Sequence, residues 1–342
     1  KRSNFLDNLY PQTLKNAKSH EQKIEYDSRF GSPVKITDPN LLETAFKYDV
    51  WGRQIYQKDA DGTETHIVRE WCDNSCPTNG RYKVSTFVSH AATTAQGQAA
   101  IEGLGQAPST VYYDIYDREL RRVSYNLDGQ TVYQDTQYTN EGYVARTSLP
   151  YFKGGTPQWS NYTGYYIFGR PGSVSHPDGS SASMTYAHDT TFARRETQII
   201  TVKKPDASTS TQSTTSYFNT LGELKRTTDA DNTLTDFTYD GFGRLKTTKV
   251  NNQSNTQVSM NYDIAGNKTR LTDPDAGRTD YTYDGLGQML TQTDANARLL
   301  SDVRNTEFKY DTLGRMTRRI DNDGTFNWIY DTESNGIGLL AE

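Results

Sequence analysis

Between Tyr239 and Asp331 one short phrase is written again and again, and that recurrence limits the possible folds more than any other property of the chain. Tyr239-Asp240-Gly241-Phe242-Gly243-Arg244 returns as Tyr262-Asp263-Ile264-Ala265-Gly266-Asn267, as Tyr283-Asp284-Gly285-Leu286-Gly287-Gln288 and as Tyr310-Asp311-Thr312-Leu313-Gly314-Arg315. A shortened form closes the series at Tyr330-Asp331. The tyrosines stand 23, 21, 27 and 20 residues apart. Such a unit is too short for a domain and suits one β-hairpin with its two turns.

Each letter of the phrase has a physical reading. Phe237-Thr238-Tyr239, Tyr281-Thr282-Tyr283 and Phe308-Lys309-Tyr310 alternate aromatic with polar residues, as a strand with one covered face does. The tyrosine therefore ends a strand with its ring inward. The aspartate carboxylate accepts backbone N–H groups just downstream and holds a tight turn, and the glycine three positions later supplies positive φ without steric cost. Arginine or another polar residue restarts the chain into the Thr-rich runs Leu245 to Val250, Met289 to Thr293 and Met316 to Ile320. Second turns are expected at Asp273-Pro274-Asp275-Ala276-Gly277, Asp294-Ala295-Asn296 and Asp321-Asn322-Asp323-Gly324.

Composition agrees with a thin sheet. Only 33% of the 342 residues are hydrophobic, which is poor in core material, yet 24 Tyr, 12 Phe and 4 Trp are too many aromatics for a solvated coil. A net charge of -5 argues against a nucleic-acid or anionic-membrane partner. The apolar runs are only a few residues long, so no segment reads as a membrane span, and the chain reads as a piece of something longer.

The first twenty residues carry little pattern and are expected to be a lead-in from an upstream region, with repeats filling 21–342. Clean units come at once: Tyr26, Asp27 and Gly31, then Tyr48, Asp49, Gly52 and Arg53. An insertion near 66–110 follows, containing Cys72, Cys76 and the Ala/Gln/Gly-rich run Ala91 to Ala107, expected as a rim loop or short helix. The phrase resumes at Tyr113 and Asp114, and a second insertion near 148–165 reads as a Gly/Pro loop with exposed aromatics. The Ser/Thr tract Ser208 to Ser216 reads as a polar outward hairpin, because Lys204-Pro205-Asp206-Ala207 is a turn sequence. No domain boundary is visible. The fold expected is all-β, repeated antiparallel hairpins added into one long spiralling sheet, since right-handed twist bends such a sheet and a single hairpin cannot offset its own ordering.

Tyr-Asp-x-x-Gly-Arg at this spacing, alternating with Asp-x-Asp-Gly turns, resembles the RHS (YD-repeat) family of bacterial toxin shells, found also in insecticidal toxin complexes and in teneurins. The resemblance runs from Tyr26 to about Leu340. It rests on eight in-register pairs, at Tyr26, Tyr48, Tyr113, Tyr239, Tyr262, Tyr283, Tyr310 and Tyr330 with their aspartates. The Trp71-Cys72 to Cys76-Pro77 insert, Ser148-Leu149-Pro150-Tyr151-Phe152 and the closing Asn335-Gly336-Ile337-Gly338-Leu339-Leu340 also resemble bacterial members. The resemblance implies a hollow cocoon that encloses a C-terminal toxin polypeptide of the same gene product. It further implies neighbouring shell segments or a secretion component as partners, assembly in the bacterial cytoplasm and delivery by a toxin-export system. The family's self-cleaving C-terminal core, with its Asp-Pro signature, has no counterpart here; Asp273-Pro274-Asp275 sits at a repeat turn with intact repeats after it.

Chemical readings are weaker. Cys72 and Cys76 read as a structural thiol pair or local disulfide, with half a zinc site as the alternative, and the five histidines are scattered. The Asp-x-Asp-Gly turns fail the calcium-loop pattern, because Asp59-Ala60-Asp61-Gly62 brings its glycine two places early. Paired carboxylates such as Asp321 and Asp323 recur at many turns, which argues for turn-making rather than hydrolysis. No catalytic, cofactor-binding or metal residue is assigned, and no cofactor is expected. Two other functions stay open: an adhesive surface using Trp159, Tyr162 and Tyr165 to stack on sugars or a protein, and a β-propeller with two hairpins per blade.

Overall fold

The computed structural model describes residues 2–6, 9–74, 76–89, 107–299 and 305–341, and nearly all regular structure in them is antiparallel strand. The run from Ala91 to Ala107 lies, apart from Ala107, outside the described residues. Two compact units divide the chain, Lys1–Thr163 and Gly164–Glu342.

In the first unit β1 (Arg2–Leu6), β2 (Tyr10–Lys15), β3 (Glu21–Asp27), β4 (Ser32–Thr37), β5 (Glu43–Tyr48), β6 (Gln54–Lys58), β7 (Glu64–Trp71) and β8 (Tyr82–Ser89) form a meander. It continues through β9 (Ser109–Tyr113), β10 (Glu119–Tyr125) and β11 (Thr131–Tyr138), each strand hydrogen-bonded to the next. β11 then pairs with both β12 (Val144–Ser148) and β13 (Tyr151–Phe152), and β12 pairs with β14 (Trp159–Thr163). Arg2–Leu6 and Tyr10–Lys15 are thus strands paired into the same sheet as the repeats that follow. Tyr10 has no aspartate after it, but its ring lies 5.3 Å from that of Tyr26, so the packing of a repeat is present without its sequence mark. The Gly/Pro stretch after Pro150 is also only partly loop, since Tyr151 and Phe152 pair with Tyr133 and Val132.

The second unit repeats the plan: β15 (Ser173–Ser175), β16 (Ser181–Asp189), β17 (Ala193–Lys203), β18 (Thr209–Phe218), β19 (Leu224–Thr228), β20 (Leu234–Tyr239) and β21 (Leu245–Val250) come first. They are followed by β22 (Val258–Tyr262), β23 (Lys268–Asp273), β24 (Gly277–Tyr283), β25 (Met289–Thr293), β26 (Thr306–Tyr310), β27 (Met316–Asp321) and β28 (Gly324–Asn327). Every strand pairs with its successor. The Ser/Thr tract is β18, whose Thr215 and Thr211 hydroxyls face those of Thr197 and Thr201 on β17. At Asp294 the expected turn is instead one turn of helix, α1 (Ala295–Leu299). The segment has no turn glycine, and the Asp294 carboxylate accepts the Ala297 N–H at 2.7 Å in the manner of a helix cap.

A propeller closes each blade after four strands, whereas here the ladder runs without a break through β11 in one unit and through β28 in the other; the propeller reading is wrong. Neither unit builds a conventional core. Among the described residues only Val111 and Val123 are buried hydrophobics, and no large side chain is fully buried. Stability is spread over half-buried side chains and cross-strand pairs.

Candidate functional site: the Tyr-Asp edge

Because each strand pairs with its neighbour in sequence, successive turns fall on alternate edges of each unit. The Tyr-Asp turns share one edge and the second turns take the other.

In the second unit's turn at Tyr239, the Asp240 N–H donates to the Arg244 carbonyl and the Gly243 N–H to the Asp240 carbonyl, at 2.9 and 3.1 Å. Three loop residues are thereby closed, and Gly243 takes φ +76°, the left-handed position of a three-residue hairpin loop. The carboxylate does the rest. Asp240 Oδ1 accepts the N–H groups of Phe242 and Arg244 at 2.9 and 3.0 Å, and Oδ2 accepts Arg244 Nε at 2.7 Å. Asp49 with Arg53, Asp114 with Arg118 and Asp311 with Arg315 repeat this set, and Asp263 does so with Asn267. Asp284 accepts the N–H groups of Leu286 and Gln288. Asp27 departs, since its arginine, Arg29, stands two residues on rather than four. The remaining motif glycines Gly31, Gly52, Gly266, Gly287 and Gly314 share the positive φ, and at the Tyr113 turn Asp117 takes that conformation instead.

Each Tyr-Asp hairpin also carries a β-bulge. Thr238 faces Thr247 but Tyr239 faces Leu245, so Lys246 is extra, and the same one-residue slip accompanies Tyr26, Tyr48, Tyr262, Tyr283 and Tyr310. A bulge breaks the ladder locally and adds twist. The next repeat repairs the break. Tyr262 donates its hydroxyl to the carbonyl of Leu245, the residue facing Tyr239, at 2.8 Å. Tyr283 reaches Lys268 opposite Tyr262 at 2.9 Å, Tyr48 reaches Pro33 opposite Tyr26 at 2.6 Å, and Tyr239 reaches Leu224 opposite Phe218 at 2.9 Å. Arginine works in the other direction: Arg244 Nη1 donates to the Asp263 carbonyl at 2.8 Å and its guanidinium lies 4.8 Å from the Tyr262 ring. Arg315 likewise grips the Asp331 carboxylate and covers Tyr330. Asp331 adopts a left-handed backbone and accepts the Gly338 N–H rather than closing a hairpin.

The electrostatics follow from these partners. Burial pushes the Asp114 carboxyl up, but the Arg118 guanidinium and the N–H groups of Arg118 and Tyr116 outweigh it and hold the group below the ordinary carboxylate value. Asp240 is lowered in the same way by Arg244 and Phe242. Burial raises the Tyr239 and Tyr283 phenols above their ordinary value. This edge can hold shape; among the described residues no group of three or more His, Cys, Asp or Glu is placed to hold a metal ion.

Residues 174–338 match the family model for the teneurin YD-shell. The crystal structure of TcdB2-TccC3 superposes with a TM-score of 0.66 at 16% identity, covering 95% of this chain and 20% of that one. TcdB2-TccC3 without its hypervariable C-terminal region gives 0.66 at 16%, over 94% and 21%. Residues 174–338 are thus YD-repeat shell sequence, and the whole chain has that fold. It spans about a fifth of the length of those structures, and at that identity the likeness is one of fold. A sequence search of the curated proteins finds no match. The role of a YD-repeat shell is structural.

Other features of the shell segment are less visible in its sequence. Arg121 and Asp135, Arg226 and Asp236, and Arg270 and Asp280 stand directly opposite on paired strands and bond through their side chains. Burial opposes ionisation of Asp280, but Arg278 and Arg270 bring it down to about 2. Arginine and aspartate 10 or 14 residues apart, across a second turn, are the signal that could have found these pairs. Cys72 and Cys76 are joined as a disulfide at the Tyr-Asp edge. Trp159, Tyr162 and Tyr165, expected to be exposed, are half-buried, and Arg146 stacks on Trp159 at 4.3 Å. The exposed indoles are Trp51 and Trp71, at 77% and 73%. No helix among the described residues is long and apolar enough to cross a membrane.

Proposed function

We propose that this segment is part of the wall of a container that keeps a toxin polypeptide, made as the C-terminal part of the same gene product, apart from the producing cell until delivery. The observation that carries the reading is the near absence of a core. A sheet whose side chains are shared between two half-covered faces, stapled repeat to repeat along one edge, is suited to separating two spaces rather than to filling one. Its partners on this reading are the enclosed polypeptide, adjoining wall segments and an export component, with assembly in the bacterial cytoplasm. The test is protection. In the natural full-length product, the polypeptide downstream of the repeats resists added protease while the wall is intact and becomes digestible when the β20–β27 hairpins are deleted. Equal digestion in both cases overturns the proposal, as would a membrane span in place of a toxin downstream.

A further inference from the structure

We propose that the first unit carries a saccharide-binding cleft on its Tyr-Asp edge, with Trp51 and Trp71 as the stacking surfaces. The cleft measures about 670 Å³, within the usual range for small-molecule sites. It lies between three hairpin ends: the β5–β6 turn brings Trp51, the β7–β8 end brings Trp71 and Tyr82, and the β9–β10 turn brings Ile115.

Three observations select the ligand class. Both indoles are largely uncovered, at 77% and 73% exposure, although a chain with so little apolar material would gain by tucking them in. Exposed aromatics grouped in a concavity mark a binding surface. Trp71 is also held in place: the Tyr82 ring meets it edge-on at 6.5 Å, and the Arg81 guanidinium lies 4.9 Å from its own ring. Tyr82 in turn stacks on Tyr113 and donates its hydroxyl to Asp117 at 3.1 Å. A stacking platform fixed before binding loses little freedom when a ligand arrives.

The second observation is charge. The lining brings Arg53, Arg69 and Arg81 against Glu70, Asp114 and Asp117, three of each sign, so it carries no net charge. A nucleotide or other anion calls for a positive excess and a quaternary amine for a negative one. The third is the mixture of partners. Carboxylates only accept hydrogen bonds and guanidiniums only donate them, and a ligand satisfying both kinds must do both. The pyranose ring combines an apolar C–H face for an indole with hydroxyls that donate and accept. A polyproline segment also stacks on indoles, but it offers carbonyl acceptors alone, so the acceptor capacity that Glu70 and Asp117 keep beside Lys83 and Tyr82 would go unused.

Tryptophan fluorescence and calorimetric titration of the whole chain test this, with cellotriose, chitotriose, maltotriose and lactose as neutral probes, sialyllactose as an acidic one and a decaproline peptide as the competing class. At least one neutral oligosaccharide is expected to bind. Trp51→Ala and Trp71→Ala are each expected to weaken it about tenfold or more, and Trp159→Ala to leave it unchanged. Both indoles stand largely in solvent, so the variants should keep the parent's circular dichroism and melting temperature. The proposal is overturned if no neutral oligosaccharide binds, if both variants bind as the parent does, or if only sialyllactose or decaproline binds through these tryptophans.

Discussion

The two edges of each unit are built from the same residue types, but the Tyr-Asp edge joins repeat to repeat by a recurring tyrosine and arginine set, while the other does so only in places, as where Asn251 accepts the Leu234 N–H and Arg298 donates to the Arg278 carbonyl. On the Tyr-Asp edge the residue four places after the aspartate leans over the glycine of the next turn. A Cβ on Gly287 would lie 3.3 Å from Asn267 Oδ1, and one on Gly314 would lie 3.1 Å from Gln288 Nε2. On the opposite edge a Cβ on Gly277 would meet that of Ala295 at 2.7 Å, but Gly129 and Gly324 face open space, and the left-handed positions there include Leu41, Ala207 and Asn232. Turn geometry alone therefore does not demand glycine. A side chain is opposed further wherever a neighbouring repeat packs against the turn, as at Gly31, Gly277, Gly287 and Gly314 but not at Gly222.

The largest expected effect compares two glycines of similar backbone. Gly31 and Gly129 have φ of +65° and +75°. A Cβ on Gly31 would come within 2.2 Å of the Tyr10 ring, which is itself packed on Tyr26, whereas one on Gly129 meets nothing within 4 Å. Gly31→Ala should therefore cost backbone strain plus overpacking, about 2–4 kcal/mol, and Gly129→Ala strain alone, about 1 kcal/mol. Urea unfolding with limited proteolysis across the β3–β4 turn would read the difference. Equal losses at the two sites would show that the edges are equivalent.

A smaller effect separates the carboxylates. Asp114 accepts the Tyr116 and Arg118 N–H groups and also binds the Arg118 guanidinium, whereas Asp229, on the other edge, accepts the N–H groups of Asp231 and Thr233 and pairs with no arginine among the described residues. An asparagine keeps the amide acceptor and loses the charge. Asp114→Asn is expected to cost about 1–2 kcal/mol at neutral pH and Asp229→Asn far less. The sign with pH is fixed by the lowered value of Asp114. Its contribution is complete above the ordinary carboxylate range and is lost as pH falls through the lowered value. Acid titration of stability should thus be flatter in Asp114→Asn than in the parent, and parallel curves would remove the carboxylate from the coupling.

Much of this architecture is legible in residue order, because hairpin repeats write their period directly. Thr238, Thr282 and Lys309 are exposed between half-buried aromatic neighbours, as strict alternation requires. The bulges were not legible: a one-residue slip opposite Tyr239 involves Lys246, an ordinary strand residue with no mark of its own. Nor was the reach of the tyrosine hydroxyl, since its acceptor is a backbone carbonyl that any side chain can accompany. The cross-strand pair Arg226–Asp236 looks, in sequence, like two solvated charges ten residues apart. Exposure of aromatics misled for a related reason. Trp159 stands beside a Gly/Pro loop yet is covered by Arg146 from the paired strand, whereas Trp51 stands at the tip of a regular turn and stays largely exposed. Local sequence sets the turn; pairing sets what covers it.

The smallest effect concerns single hydroxyls. Tyr262→Phe keeps the ring beneath Arg244 and removes the hydroxyl alone, with its hydrogen bond to the Leu245 carbonyl at the bulge and its weaker contact with Met260 Sδ. Bulged strands leave backbone groups outside the ladder, and an unpaired carbonyl away from water is costly, so the expected loss is about 0.5–1.5 kcal/mol. Tyr125 precedes the Asn126 turn on the opposite edge and is 39% exposed. Tyr125→Phe should change stability by less than about 0.5 kcal/mol. Hydrogen exchange sharpens the contrast beyond the global number. If the hydroxyl couples repeats, Tyr262→Phe should speed exchange in β21 and β22 together, because the bond joins the bulge of one hairpin to the strand that opens the next. Faster exchange confined to β22, or losses in Tyr262→Phe no greater than in Tyr125→Phe, would mean that the tyrosines pack rather than clasp, and the burden of joining repeats would pass to the arginines.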